Sequence, residues 1–310
     1  MTDLTVKKTD FKPITLADRE RYLDLLAESG EYGCEYTFAN LYLWGRQNIA
    51  FVHGCALLFS HFNRKSVYPF PVGNGDIKAS VDAIIADSEA RGIACRITGI
   101  TAAKKELLEK LYPAKFSYHC DEGSFDYVYA IEDLAELKGK KYHSKRNHYN
   151  RFRETYDGYS VVPITEKNTD AVKAAAEKWY TIRLEADKHA DLEMERVALF
   201  RALRDYDALA MDGIFLEKDG NIMAFTLGSF LNGDTFDVQF EKAFTEYNGA
   251  YAAVNCEFAC YLRDKYPNLL YLDREEDMGL EGLRKAKQSY HPHHMIEEYW
   301  AHLKSEEFDY

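Results

Sequence analysis

Near the end of the chain, four carboxylates and one guanidinium stand in a row: Asp273, Arg274, Glu275, Glu276 and Asp277. They follow an apolar run over residues 269–272 that reads as a buried strand. Only alternate side chains of a strand share a face, and the ends of strands that lead into helices are where α/β ligands bind. A carboxylate there with a raised pKa can take a proton from an attacking amine. Glu275 and Arg274 are the candidates for such catalytic work. The same residues also suit a solvated acidic loop, or a salt-bridge network capping the helix that begins at Glu281. Met278, Gly279 and Gly282 leave the backbone room for close approach.

A second constellation is cationic. Residues 138–153 hold seven Lys and Arg and no acid, in a chain of net charge −12, so the remaining residues carry about −19. If residues 141–154 form a helix, Tyr142, Tyr149 and Phe152 fall on one side at about 100° per residue. Lys141 and Lys145 then flank one edge of that stripe, and Arg146 and Arg153 the other. An aromatic face docked between domains would aim these cations into a cleft, where arginine holds phosphate bidentately. Lys141, Lys145, Arg146 and Arg151 are the candidate contacts to a phosphate-bearing substrate. The alternative is a solvated, positively charged connector. The acidic remainder argues against sequence-independent affinity for nucleic acid or anionic lipid.

The elements that must position these groups follow from length and patterning. A chain of 310 residues exceeds what one core usually fills. The expected division is an N-terminal domain over 1–136, a basic helical connector over 137–158 and a C-terminal domain over 159–310. Helices are expected at 16–28, 34–44, 77–90 and 104–111, with strands at 49–59, 67–70, 93–97, 115–119 and 125–131. In the second half, helices are expected at 168–186 and 192–208. Strands at 214–217, 222–230 and 235–240 are joined by Asp219-Gly220 and Asn232-Gly233, both two-residue hairpin signals. A helix at 250–265, a strand at 269–272, a helix at 281–288 and a last strand at 295–302 follow. The fold class is therefore α/β (α+β), with mixed, largely antiparallel sheets. A three-stranded meander joined to a β–α–β crossover resembles the GNAT acyltransferase fold, and residues 49–131 are compatible with a degenerate second copy.

No apolar run reaches the roughly 20 residues that span a bilayer, and residues 1–12 lack the apolar core of a signal peptide. The six cysteines are scattered with no C-x-x-C, which reads as reduced thiols in a cytoplasmic protein. His291, His293 and His294 do not have the spacing of a helical metal pair, so no metal site is expected.

Four stretches carry a family resemblance. They are Phe38 to Trp44 (FANLYLW), residues 138–152 (KGKKYHSKRNHYNRF), Gly249-Ala250-Tyr251, and residues 273–292 (DREEDMGLEGLRKAKQSYHP). The chain resembles proteins grouped with the C-terminal domain of phosphatidylglycerol lysyltransferase, and in layout the Fem-type aminoacyl-tRNA-dependent transferases. The latter have paired GNAT-like domains, a basic helix between them, and an F-K-x-x-F segment that here reads Ala286-Lys287-Gln288-Ser289-Tyr290. The resemblance implies tandem GNAT-like domains and acyl or aminoacyl transfer to an amine or hydroxyl of a small-molecule or peptide acceptor. It nominates Lys287 to stabilise an oxyanion and Tyr290 to protonate the leaving group. Lys287 as a surface charge and Tyr290 as a core side chain are the alternatives.

In GNAT enzymes a glycine-rich loop offers N–H groups to the coenzyme A pyrophosphate at a helix start. Here only Asn248-Gly249-Ala250, followed by Tyr251, keeps that form, either as a cofactor loop or as plain helix entry. Glu241 and Glu246 would repel a pyrophosphate. Asp237, on the preceding strand, and Glu241, at the start of the loop, are candidate substrate contacts. The donor is thus either a coenzyme A thioester or, better suited to this loop, an aminoacyl-tRNA. A non-catalytic binder of RNA or an anionic ligand is the reading outside enzymology. With no membrane span expected, integral membrane contact is not.

Overall fold

The computed structural model describes residues 8–30, 33–45, 47–62, 65–186 and 192–304. Residues 1–7 of the polar N-terminal stretch lie outside that set. In chain order the elements are β1 (Lys12–Pro13), α1 (Arg19–Ala27), α2 (Phe38–Leu43), β2 (Gln47–Val52), β3 (Cys55–Phe62), β4 (Lys65–Pro69), α3 (Ile77–Arg91), β5 (Arg96–Ile100), α4 (Ala102–Leu111) and β6 (Phe116–Cys120). They continue with β7 (Asp126–Ala130), α5 (Ile131–Glu136), α6 (His143–Thr155), β8 (Ser160–Pro163), α7 (Thr169–Ala186), α8 (Glu193–Arg204), β9 (Asp212–Lys218), β10 (Asn221–Phe230) and β11 (Thr235–Ala243). The chain closes with α9 (Ala250–Lys265), β12 (Tyr271–Asp273), α10 (Glu281–Gln288), β13 (His294–Ile296) and β14 (Tyr299–Leu303).

The α/β class with mixed, largely antiparallel sheets is what the structure shows. Two seven-stranded sheets run β1-β2-β3-β4-β5-β14-β6 and β13-β7-β12-β11-β10-β9-β8. Read from opposite ends, these are the same plan: an antiparallel meander, one parallel neighbour reached through a helix, then a strand from elsewhere in the chain inserted before the last. The parallel pairs are β4–β5 and β11–β12. The inserted strands β14 and β7 are antiparallel to their neighbours β5 and β12.

The compact units do not coincide with the expected domains. One comprises Met1–Phe125 with Ile296–Tyr310, the other Asp126–Met295. The strand at 126–130 pairs with β12 rather than with the first sheet, and 299–303 pairs with β5 and β6. The expected final strand at 295–302 is therefore two strands in different sheets. The run 49–59 is likewise two strands, turned at His53, whose φ is 52°. The basic segment is no free connector but part of the second unit.

The second core is built where β-strand alternation meets an Ala-rich helix. Phe236 and Val238 of β11 pack with Ala253, Val254, Phe258 and Leu262 of α9 in one buried cluster that also holds Phe152 and Tyr290. Small residues at Ala252, Ala253 and Ala259 let α9 lie close on the sheet. Helix α6 packs over the start of α9 through buried Tyr142 and Phe152, the aromatic stripe read from its sequence. The close approach falls at Gly249, at φ +89°, where a Cβ would come within 2.6 Å of the His148 carbonyl oxygen. A side chain there would push the two helices apart.

Candidate active site

Strands β11 and β12 pair over three residues only, Thr235–Asp237 against Tyr271–Asp273. Beyond that point they part. β11 continues with β10 as far as Ala243, while the chain after β12 turns onto β7: the Arg274 N–H donates to the Tyr127 carbonyl at 3.0 Å, and the Tyr127 N–H to the Glu275 carbonyl at 3.2 Å. Arg274 reaches back across the opening, its Nη2 donating to Glu241 Oε1 at 2.7 Å. Both side chains are largely buried, at 15% and 12% exposure. Asn255 of α9 donates to the other Glu241 oxygen at 3.3 Å. Burial, the largest single influence, opposes the Arg274 charge, but Glu241 together with Tyr129 and Tyr290 outweighs it and raises the guanidinium pKa.

Arg274 and its neighbour Asn255 each carry a polar atom without a partner, and so does Gln239, further back on β11 beside Ser229 and Asp237. Arg274 Nη1, Asn255 Oδ1 and Gln239 Oε1 are buried and make no hydrogen bond. A buried polar atom left unmade costs about 1–3 kcal/mol, so the first two, at one strand opening, point to a site rather than to packing. Tyr290, 6% exposed, has Arg274 Cζ 5.0 Å from its ring centre and Lys145 Nζ 3.8 Å from it. Tyr129 stands edge-on to Tyr290 at 6.5 Å. Burial raises the Tyr290 phenol pKa, with Arg274 pulling the other way. Its hydroxyl stays protonated through neutral pH, as a leaving-group donor requires. Burial and the neighbouring Arg274 lower the Lys145 pKa to about 8 against the pull of Glu241.

Lys287 is placed differently from its expected role. Its ammonium donates to the carbonyls of Arg274 at 2.5 Å, Glu275 at 2.9 Å and Glu276 at 2.5 Å. Three donors meet three acceptors, so no N–H is left for an oxyanion. Lys287 instead pins the segment that carries Arg274, and its own carbonyl accepts from Tyr129 Oη at 2.8 Å. The pin matters because Glu275 sits at φ 59° and Met278 at 53°, left-handed conformations that cost on the order of 1 kcal/mol each outside glycine.

The acidic row divides by function. Asp273 Oδ1 takes the Glu275 N–H at 2.8 Å. Asp277 takes Arg284 at 2.7 and 3.2 Å, Tyr127 Oη at 2.7 Å and the Gly279 N–H at 2.8 Å. Those bonds, Arg284 first, lower its pKa to about 2. The salt-bridge alternative thus describes Asp277, and Glu275 contributes its backbone to the same scaffold. Asp237 is fully buried and accepts from Gln239 at 2.7 Å.

Of the four expected phosphate contacts, one reaches the opening. Lys141 pairs with Asp133 at 3.1 Å, Arg146 donates to the carbonyls of Leu137 and Gly139 at 2.5 and 3.2 Å, and Arg151 is exposed. Lys145 alone turns toward Tyr290. The expected cofactor loop is also committed internally. The Asn248 N–H donates to Tyr156 Oη at 3.2 Å and the Ala250 N–H to the Tyr247 carbonyl at 3.0 Å. Gly249 serves the packing of α6, and Tyr251 is 42% exposed.

Sequence reasoning missed Asn255, Gln239 and Tyr129. Asn255 had a signal: it is a lone amide in the small, apolar face of α9, where an unpaired polar side chain is costly.

Comparison with known proteins agrees with this architecture. The family model described as "Phosphatidylglycerol lysyltransferase, C-terminal" matches residues 26–302. The chain belongs to the phosphatidylglycerol lysyltransferase C-terminal family. A conserved protein of unknown function from Bacteroides thetaiotaomicron is 38% identical, with a TM-score of 0.90 over 96% of this chain and 100% of that one. L-PGS from Bacillus licheniformis, 14% identical, shares the fold at a TM-score of 0.67 over 94% and 93% of the two chains. FemX, 11% identical, does so at 0.61 over 96% and 98%. A curated relative, an uncharacterized protein of Mycoplasmoides gallisepticum, is 26% identical over 207 residues, 66% of this chain and 63% of its own length. The chain thus aligns with less than two thirds of that relative. Within this family member, no helix among the described residues is long and apolar enough to cross a membrane.

Proposed function

We propose that the second unit transfers an aminoacyl group from an aminoacyl ester, the form carried by a charged tRNA, to an amine or hydroxyl acceptor. The observation that carries this reading is the unpartnered, buried Nη1 of Arg274 at the opening between β11 and β12. A preorganised donor in a dry site is suited to the charge that develops on an ester carbonyl oxygen under attack. Glu241 holds the guanidinium in place, and the Lys287 contacts hold its backbone. The Tyr290 phenol beside it is a proton donor for the leaving oxygen. The family's description as the C-terminal part of a phosphatidylglycerol lysyltransferase supports transfer of this class. The internally committed amides at Asn248 and Ala250 favour an aminoacyl ester over a coenzyme A thioester.

The test is transfer of a labelled amino acid from charged tRNA to phosphatidylglycerol vesicles, free amines and peptides, with acetyl-coenzyme A as the competing donor. Arg274→Ala is expected to lower transfer about 100- to 1,000-fold, as removal of an oxyanion donor does. Unchanged turnover would remove Arg274 from the chemistry. Transfer from acetyl-coenzyme A alone would replace the donor.

A further inference from the structure

We propose that Lys145 is the general base of this reaction, taking the proton of the attacking acceptor at the opening beside Arg274. The proposal rests on the transferase reading above and adds a residue whose sequence suggested only phosphate contact.

The geometry separates Lys145 from the other cations of its helix. Lys141, just before the helix, is held by Asp133, and Arg146 within it by two carbonyls. Lys145 makes no hydrogen bond or ion pair among the described residues, and its Nζ lies 3.8 Å from the centre of the Tyr290 ring. The charged groups facing it are Arg274, from the end of β12, and Glu241, from β11; the phenol of Tyr290 is the titratable neighbour beyond α10. Glu241 is already bound to Arg274 and Asn255. A half-buried ammonium next to a second cation, without a carboxylate of its own, gives up its proton more readily than an exposed lysine. A pKa of about 8 leaves a usable neutral fraction near neutral pH, where a base is most effective.

In the step, the acceptor nitrogen or oxygen bonds to the ester carbonyl carbon while its proton passes to the neutral Lys145 Nζ. The carbonyl π pair moves onto oxygen, where Arg274 Nη1 receives it. Collapse restores the carbonyl and breaks the bond to the donor's ribose oxygen. That oxygen leaves as a hydroxyl, protonated by Tyr290; the phenolate then takes a proton from solvent, and the Lys145 ammonium gives one up to solvent. Lys145 and Tyr290 both end in their starting states.

The experiment is a pH–rate profile of aminoacyl transfer from charged tRNA for the wild-type protein, Lys145→Met, Lys145→Arg and Lys145→Ala, with urea midpoints to check folding. Expected are a wild-type kcat/KM that rises with an apparent pKa near 8, and a kcat lower by about 100-fold or more in all three variants at little change in KM. Wild-type transfer that Lys145→Met retains within threefold overturns the base and leaves the transferase reading standing. A loss confined to KM overturns it too, by marking Lys145 as a contact to donor phosphate. Absence of transfer by the wild-type protein from every donor ends both.

Discussion

In the first sheet, β4 and β5 stay joined past the end of β4. Tyr68 and Pro69 pair with Ile97 and Thr98, the Phe70 N–H still donates to Thr98 at 2.9 Å, and Val72 then bridges to Ala56. Phe70 and Val72 are buried, and the Tyr36 hydroxyl covers the carbonyls at the end of β5. In the second sheet the equivalent partners separate after three residues, and a buried ion pair spans the gap. Strand order is the same in both. In both, the meander strand stays with the meander, Val72 on Ala56 and β11 on β10, and its parallel neighbour goes on against the inserted strand, Ile100 on Tyr299 of β14 and Arg274 on Tyr127 of β7. What differs is the residues at the parting: buried Phe70 and Val72 in the first unit, the Glu241–Arg274 pair in the second. One plan thus gives a closed apolar strand end in one unit and an open polar one in the other.

Removing the spanning charge should break that contrast most severely. Glu241→Ala leaves Arg274 buried without its carboxylate, which costs about 3–5 kcal/mol, and a urea melt should show it together with loss of transfer. Because Arg274 also supplies the oxyanion donor, Glu241→Ala with Arg274→Met should recover most of the stability and none of the activity; recovery of both would show that the pair only props the opening apart. In the closed unit, Phe70→Ala is expected to cost about 3 kcal/mol through the cavity it leaves. Its transfer rate at a temperature where it is folded should equal that of the wild type; a fall in kcat there would assign the first unit a part in the chemistry.

The smallest effect concerns acid. The Asp277 pKa is lowered from 3.8 to about 2, so its bonds to Arg284, Tyr127 and Gly279 stabilise the fold above pH 4 and are lost as pH falls toward 2. That contribution is about 2 kcal/mol at neutral pH. Asp277→Asn should flatten the acid limb of stability between pH 4 and 2. An unchanged limb would show that the Arg274 segment is held by Lys287 without help from Asp277.

Local signals were legible where the physics is local. Asp219 and Gly220, at φ 51° and 75°, make the hairpin their types require, and the aromatic stripe of α6 is the face that packs. His53-Gly54 escaped notice because the apolar runs on both sides merge into one. Strand β8 carries no alternation, being exposed at Ser160, Val161 and Pro163 and only half-buried at Val162. The site was legible in part: Arg274, Glu241, Tyr290 and Lys145 were all marked, but with roles assigned by motif.

From the sequence alone came the α/β class, the family, the cationic helix and the nomination of residues between Asp273 and Tyr290 as candidates. Residue types and spacings within one turn or one hairpin suffice for those, because they set local hydrogen bonding and which side chains share a face. Only the tertiary structure decided that Lys287 is spent on three carbonyls, that Asp277 belongs to the scaffold, and that Lys145 alone of its helix reaches Arg274. Those outcomes depend on β7 and β14 joining sheets distant in sequence, and on the place where two parallel strands part. Periodicity gives each strand its face, but nothing within a strand names the neighbour it will bond to.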